Sequence, residues 1–153
     1  MGEQQVVVFG LNNQLFGTET SQVFQIIKFQ EAIKVPSMPV FIEGILEYMD
    51  TNLPVISLNK RFGFGNDTVK KKTKIIVANI EGMFAGFIVN DVMEITKFDD
   101  DNIESAPHLK DSVSDMFLKK VAKKDGKLIP IIDLEKVLSE SEIKRLSIKT
   151  PNT

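Results

Sequence analysis

VVVFGLNNQLFGTETSQVFQIIKF, residues 6–29, returns as IIVANIEGMFAGFIVNDVMEITKF at residues 75–98. The two stretches align without a gap at an offset of 69. Val8/Val77, Gly17/Gly86, Val23/Val92, Ile26/Ile95, Lys28/Lys97 and Phe29/Phe98 are identical, and several other positions exchange one apolar residue for another. A second echo follows each copy. LPVISLNK at 53–60 matches IPIIDLEK at 129–136, with Pro54/Pro130, Ile56/Ile132, Leu58/Leu134 and Lys60/Lys136 identical. The motif order is the same in both halves, so the chain reads as two similar supersecondary modules packed together. Such proteins often work through the surfaces and seams that their modules present.

The totals narrow the function classes. With 153 residues, the chain has room for one domain or two small, packed halves. A hydrophobic content of 42% is enough for a core. A net charge of −2 argues against general nucleic-acid binding, which needs clustered basic surface. The lack of cysteine excludes disulfides, thiolate nucleophiles and thiolate metal sites. No apolar run reaches the length of a membrane span. The start, MGEQQVVVFG, lacks a signal peptide's basic region and cleavage site. A cytoplasmic location without membrane insertion is the expectation.

Along the chain, Val6–Leu11 and Leu15–Gly17 flank Asn12-Asn13, a pair that tolerates the positive φ of a tight hairpin. Gln22–Phe29 is a third strand, although its apolar spacing also fits a helix. Val35-Pro36-Ser37-Met38-Pro39 must be extended or turning. Phe41–Met49 leads into the strand Leu53–Leu58, and Asn59–Phe64 suits one helical turn ended by glycine. Asn66–Thr73 reads as a solvated linker between the halves. Lys74–Ile80 and Phe84–Val89 form a hairpin around Glu81-Gly82. Asp91–Phe98 parallels Gln22–Phe29, and Asp99–Asn102 is a charged loop. A strand element at Val113–Lys123 precedes the Asp125-Gly126 turn and Lys127–Ile132. Asp133 is placed to cap a last helix, Leu134–Leu146, with Leu134, Val137, Leu138 and Leu146 as its stripe. The tail from Ser147 is expected to fray.

Catalytic candidates are weak. His108, the one histidine, has no partner at triad spacing. Asp99-Asp100-Asp101 lacks the spaced ligands of a calcium loop. Gly63-Phe64-Gly65 has no following Lys-Ser/Thr, so no phosphate cradle is written there. Lys70-Lys71-Lys72 suits a soluble linker. No cofactor and no metal are expected. Val23, Ile26, Val92 and Ile95 read first as core, but a two-module protein has a seam, and an incompletely filled seam accepts the apolar face of a partner helix.

The ordered series Asn13-to-Gly17, Q-V-F-Q-I-I, F-I-E-G-I-L, L-P-V-I-S-L-N-K-R-F-G, G-F-I-V-N-D-V-M-E-I and G-K-L-I-P-I-I-D-L-E-K-V-L resembles the CheW family of chemotaxis coupling proteins. The likeness covers roughly Gln4 to Leu138. It implies a mainly β fold of two packed five-stranded SH3-like barrels with a C-terminal helix. A single domain over 4–146 is expected, with subdomains at about 15–73 and 74–130, terminal segments crossing between them, and a flexible tail at 147–153. It also implies a non-catalytic adaptor between methyl-accepting chemoreceptor tips and a CheA-type histidine kinase, recruited to membrane-bound receptor arrays. Carried over residue by residue, the family's receptor groove maps to Val7, Thr20, Val23, Ile26 and Val92. Its kinase surface maps to Val35, Met38, Gly44, Met49 and Asp50. The family has N-L-R-G in the last of these turns, where Glu47-Tyr48-Met49-Asp50 stands here, and Ser57 replaces the usual aspartate. Methionine cannot reproduce arginine's five-donor fork. A divergent scaffold of another chemosensory pathway is therefore the alternative. An enzyme or small-molecule sensor has little support.

Overall fold

Short apolar runs punctuated by left-handed turn residues build most of the chain. The computed structural model describes residues 2–105 and 117–149. β1 (Glu3–Leu11) and β2 (Gln14–Glu19) form the first hairpin, and β3 (Val23–Lys28) follows a 3-10 turn at Thr20–Gln22. β4 (Ile42–Tyr48) and β5 (Thr51–Ser57) make the second hairpin, and β6 (Lys74–Ile80) and β7 (Met83–Val89) the third. β8 (Asp91–Asp99) and β9 (Ile103–Ser105) come next, then the hairpin of β10 (Leu118–Lys124) and β11 (Lys127–Ile132). Each hairpin closes on two residues with positive φ: Asn12 and Asn13, Met49 and Asp50, Glu81 and Gly82, Asp125 and Gly126. Such turns match the right-handed twist of their flanking strands.

The strands sort into two barrel-like sheets, ordered β8-β1-β2-β11-β10-β9 and β3-β6-β7-β5-β4. The first carries one short strand, β9, beyond the five expected. The repeat shows how the sheets are assembled. Each copy supplies a hairpin and a third strand, and the copies exchange the third strand. β3 pairs with β6 of the later copy, and β8 pairs with β1 of the earlier one. The registers are the same: Gln25 lies opposite Val77 and Glu94 opposite Val8, while Val23 faces Ala78 and Val92 faces Phe9. The second echo is used equally. Val55 on β5 pairs in parallel with Gly86, and Ile131 on β11 with Gly17. These glycines are required. A Cβ on Gly17 would lie 2.5 Å from Val6 Cγ1, and one on Gly86 2.7 Å from Ile75 Cγ2.

The sheets therefore do not divide at residue 73. β6 and β7 join β3, β4 and β5, and both sheets draw strands from each of the stretches 15–73 and 74–130. The crossing goes deeper than the terminal segments.

Burial follows the same logic. Val6 and Val8 enter the core of the six-stranded barrel, and their equivalents Ile75 and Val77 enter that of the five-stranded one. Phe9 and Leu11, with their equivalents Ala78 and Ile80, face a third core between the sheets. β1 and β6 are apolar on both faces because both faces are covered.

The C-terminal segment differs from the expected helix. Asp133 does cap, accepting from Glu135 N at 3.1 Å, but it caps a 3-10 turn at Leu134–Lys136. α2 then starts afresh and spans Glu140–Lys149. Ser139 and Glu142 form a reciprocal capping box: Glu142 N donates to Ser139 Oγ at 3.2 Å, and Ser139 N to Glu142 Oε1 at 2.7 Å. The stripe holds, since Leu134, Val137, Leu138 and Leu146 all enter the shared core. The helix includes 147–149, and the rest of the tail expected to be flexible, 150–153, lies outside the described residues. α1 (Leu58–Arg61) is the expected single turn, capped by Ser57 Oγ, which accepts from Lys60 N at 3.1 Å. The charged loop after β8 contains a 3-10 turn at Asp100–Asn102, with Gly2 N donating to Asp100 Oδ2 at 3.0 Å. The linker is anchored at both ends, by the Asn59 amide donating to Asp67 at 2.9 Å and by buried Thr73. His108 and the first part of the Val113–Lys123 element lie outside the described residues.

Candidate functional site

The exchanged strands β3 and β8 carry the features that set this chain's seam. Each has a β-bulge at the same place. Val23 and Gln25 face consecutive residues of β6, leaving Phe24 extra; Val92 and Glu94 face consecutive residues of β1, leaving Met93 extra. A bulge breaks the period of two. It turns Val23 and Ile26 to the same side, opposite Ala78 and Ile76, and it turns Val92 and Ile95 to the same side, opposite Phe9 and Val7. The three-residue apolar spacing that made Gln22–Phe29 resemble a helix is the mark of the bulge.

Four of the five expected groove residues gather on this side. Val23, Ile26 and Val92 are half-buried against the shared core. Val7 lies on the same face of β1 as Phe9 but is only 1% exposed, so it forms the floor and not a contact. Thr20 stands at the β2–β3 corner, with its Oγ1 3.4 Å from Gln5 Oε1. Ile95 belongs with this set although the family comparison did not select it. It is 57% exposed and sits directly opposite Val7. Its sequence signal was its identity with Ile26 in the repeat.

The seam is pinned by Gln22. Its Nε2 donates to Asp133 Oδ1 at 2.7 Å, and its Oε1 accepts from Leu134 N at 2.8 Å. One side chain thus ties the β2–β3 corner to the end of β11.

The residues expected at the kinase are dispersed along the five-stranded barrel, with Val35 and Met38 before β4, Gly44 within it and Met49-Asp50 at its far end. Val35 and Met38 lie on the segment joining β3 to β4, and Met38 packs on the shared core. Gly44 is buried at φ 143°, and any Cβ there would run into the Ile33 carbonyl oxygen. Its role is to let Ile33 pair with Ile45, with both backbone bonds at 2.9 Å. Met49 and Asp50 form the exposed hairpin tip at φ 48° and 62°. The C-terminal segment buttresses the Val35–Met38 side, away from that turn. Arg61 Nε donates to the Val137 carbonyl at 2.9 Å while its guanidinium lies 4.7 Å above the Phe41 ring, and Arg145 donates to the Ser37 carbonyl. Burial pushes the Tyr48 hydroxyl above its ordinary pKa. Among the described residues, no group of three His, Cys, Asp or Glu side chains could hold a metal ion. Among the same residues, no helix is long and apolar enough to cross a membrane.

Known proteins of this shape give the geometry a context. The family model described as CheW-like domain matches residues 5–142. The chain is 28% identical over 145 residues to the chemotaxis protein CheW of Thermotoga maritima, covering 93% of this chain and 92% of that one. It is 27% identical over 137 residues to the chemotaxis protein CheW of Bacillus subtilis, covering 90% and 88%. The crystal structure of the scaffolding protein TtCheW from Thermoanaerobacter tengcongensis superposes with a TM-score of 0.83 at 34% identity, covering 93% of this chain and 92% of that one.

Proposed function

The chain belongs to the CheW-like domain family, and from that premise we propose that it couples chemoreceptor tips to a CheA-type histidine kinase. The coarse function is that of a non-catalytic scaffold in chemotaxis signalling, as in the relatives named above. The receptor tip, a bundle of amphipathic helices, lays an apolar face against Val23, Ile26, Val92 and Ile95, with Val7 beneath and Thr20 at the edge. The kinase's regulatory domain meets the five-stranded barrel along β4, from Val35 and Met38 to Met49 and Asp50, where Gly44 shapes the strand between them. The protein works in the cytoplasm, recruited to receptor arrays by these contacts.

The single observation that carries this reading is the pair of matched bulges. They present half-exposed apolar residues from both barrels on one side of the seam, in a form suited to a helix. The test is to mix the purified protein with a receptor-tip fragment and the CheA-like kinase of its own genome. A ternary complex and altered kinase autophosphorylation are expected; neither appearing would sink the proposal. Val23→Asp and Val92→Asp should weaken receptor binding in a folded protein. Unfolding of both would assign those residues to the core alone.

The Met49-Asp50 turn supports a second reading, a scaffold of a different chemosensory pathway. Restoring Arg and Gly there and measuring affinity for the chemotaxis kinase separates the two. Tighter binding on restoration supports the second reading, and unchanged binding makes the departure incidental.

A further inference from the structure

We infer that an aromatic strut across the mouth of the five-stranded barrel couples the seam to the Met49-Asp50 turn, so that occupancy of one changes affinity at the other. The inference rests on the adaptor reading above. β3 and β4 are the terminal strands of their sheet, and no ladder joins them. The Ile33–Ile45 backbone bridge joins β4 to the segment after β3, and side chains close the rest of the gap. Phe24 of β3 lies 4.7 Å from Phe84 of β7, and Phe84 lies 5.7 Å from Tyr48 of β4, with those two rings at 89°. Both arrangements are favourable for ring quadrupoles. The Tyr48 hydroxyl also donates to the Gln25 side-chain oxygen.

The ends of this strut are the two sites. Phe24 is the bulge residue that follows Val23, and Tyr48 directly precedes Met49. A partner that shifts Val23 must displace Phe24, because a bulge moves as one backbone unit. Phe24 is 51% exposed, so the shift passes through its ring contact with Phe84 and on to Tyr48, not through an enclosed core. At the far end, two non-glycine residues are held at positive φ, a sparsely populated conformation that a small force redistributes.

The repeat supplies an internal control. The equivalents of Gln25 and Tyr48 are Glu94 and Lys124, which close the six-stranded barrel with an ion pair of 2.7 Å. The equivalents of Phe24 and Phe84 are Met93 and Leu15, so no aromatic strut stands there. An exposed ion pair holds its partners loosely. Among the described residues, the barrel assigned to the kinase has the aromatic version and the other has the ion pair.

The experiment measures the affinity of the kinase regulatory domain for this protein with and without saturating receptor-tip fragment. In the wild type the two values should differ at least about fivefold, the lower range of allosteric coupling. Phe84→Leu, a residue in neither proposed contact surface, should bring the ratio within about twofold of one while both separate affinities hold. Tyr48→Phe should lower the ratio in part, and Lys124→Met should leave it intact. A wild-type ratio of one overturns the inference, as does a Phe84→Leu ratio equal to wild type. Parallel loss of both separate affinities with an unchanged ratio assigns the rings to packing and overturns it too. A wild type that binds neither partner overturns the adaptor reading along with it.

Discussion

The Met49-Asp50 turn can be rebuilt from the chain's own spare copy. The second echo aligns Met49 with Asp125 and Asp50 with Gly126, and both turns use the same backbone, φ 48° and 62° in one and 51° and 76° in the other. Only the later turn has residues suited to it. The perturbation is Met49→Asp with Asp50→Gly. A side chain held in the left-handed region costs roughly 1–2 kcal/mol, less for Asp, which hydrogen-bonds locally. Glycine gives back about 0.5–1 kcal/mol through the freedom of its unfolded chain. Met49 is 64% exposed, so little packing is lost with it. Relief at Met49 and the smaller net relief at Asp50 sum to a gain of about 1 kcal/mol. For a protein of this size that is a rise in Tm of about 2–4 °C. Urea denaturation with a constant slope would measure it. Met49→Leu, which keeps the conformational cost, should change nothing. A double variant no more stable than wild type would refute the claim that the turn is strained.

Three further outcomes are expected. Ile95→Ala should weaken receptor-tip binding about fivefold, because half of an isoleucine's burial energy, about 1 kcal/mol, is still available to a partner; titration calorimetry reads this, and Tm should stay within about a degree because the residue is already 57% exposed. Gly17→Ala and Gly86→Ala should each cost about 1–3 kcal/mol in chemical denaturation, since stiff β-branched side chains stand 2.5 and 2.7 Å from the new Cβ; a neutral result at both would mean that the parallel crossings are looser than drawn. The hydrogen bond and charge of Lys124 hold the Glu94 carboxyl below its ordinary range. Its small contribution is thus present above the unfolded-chain pKa and is lost as pH falls through the lower folded value. Lys124→Met should raise that pKa toward the usual carboxylate range in an NMR titration, with the Thr96 contribution remaining, and an unmoved titration would contradict the assignment.

The hairpins were legible because their turn residues and two-fold alternation are local. Asn12-Asn13, Glu81-Gly82 and Asp125-Gly126 each announce the positive φ that they adopt. The Ser57 and Asp133 caps are local too, but the Ser139–Glu142 box is hidden in the sequence by an apolar stripe that runs through it unbroken. That stripe reports burial, and burial continued across a break in the helix. Of the candidate surface, Val23, Ile26 and Val92 were legible through the repeat and the family likeness. Ile95 was not separated from the core, because identity with Ile26 does not tell which copy remains uncovered.

Alone, the sequence determined that two like modules exist, what each contains, and that their glycines and turns recur at matching places. It also determined the family. Only the tertiary structure decided which module each strand completes. β3 and β8 are near-equivalent in sequence, so local propensity cannot distinguish a hairpin's own third strand from its sibling's. Non-local pairing decides it, by placing Phe9, Leu11, Ala78 and Ile80 into one shared core instead of leaving two apolar faces in water. The seam exists because of that exchange, and the bulges that shape it are visible only once the registers are known.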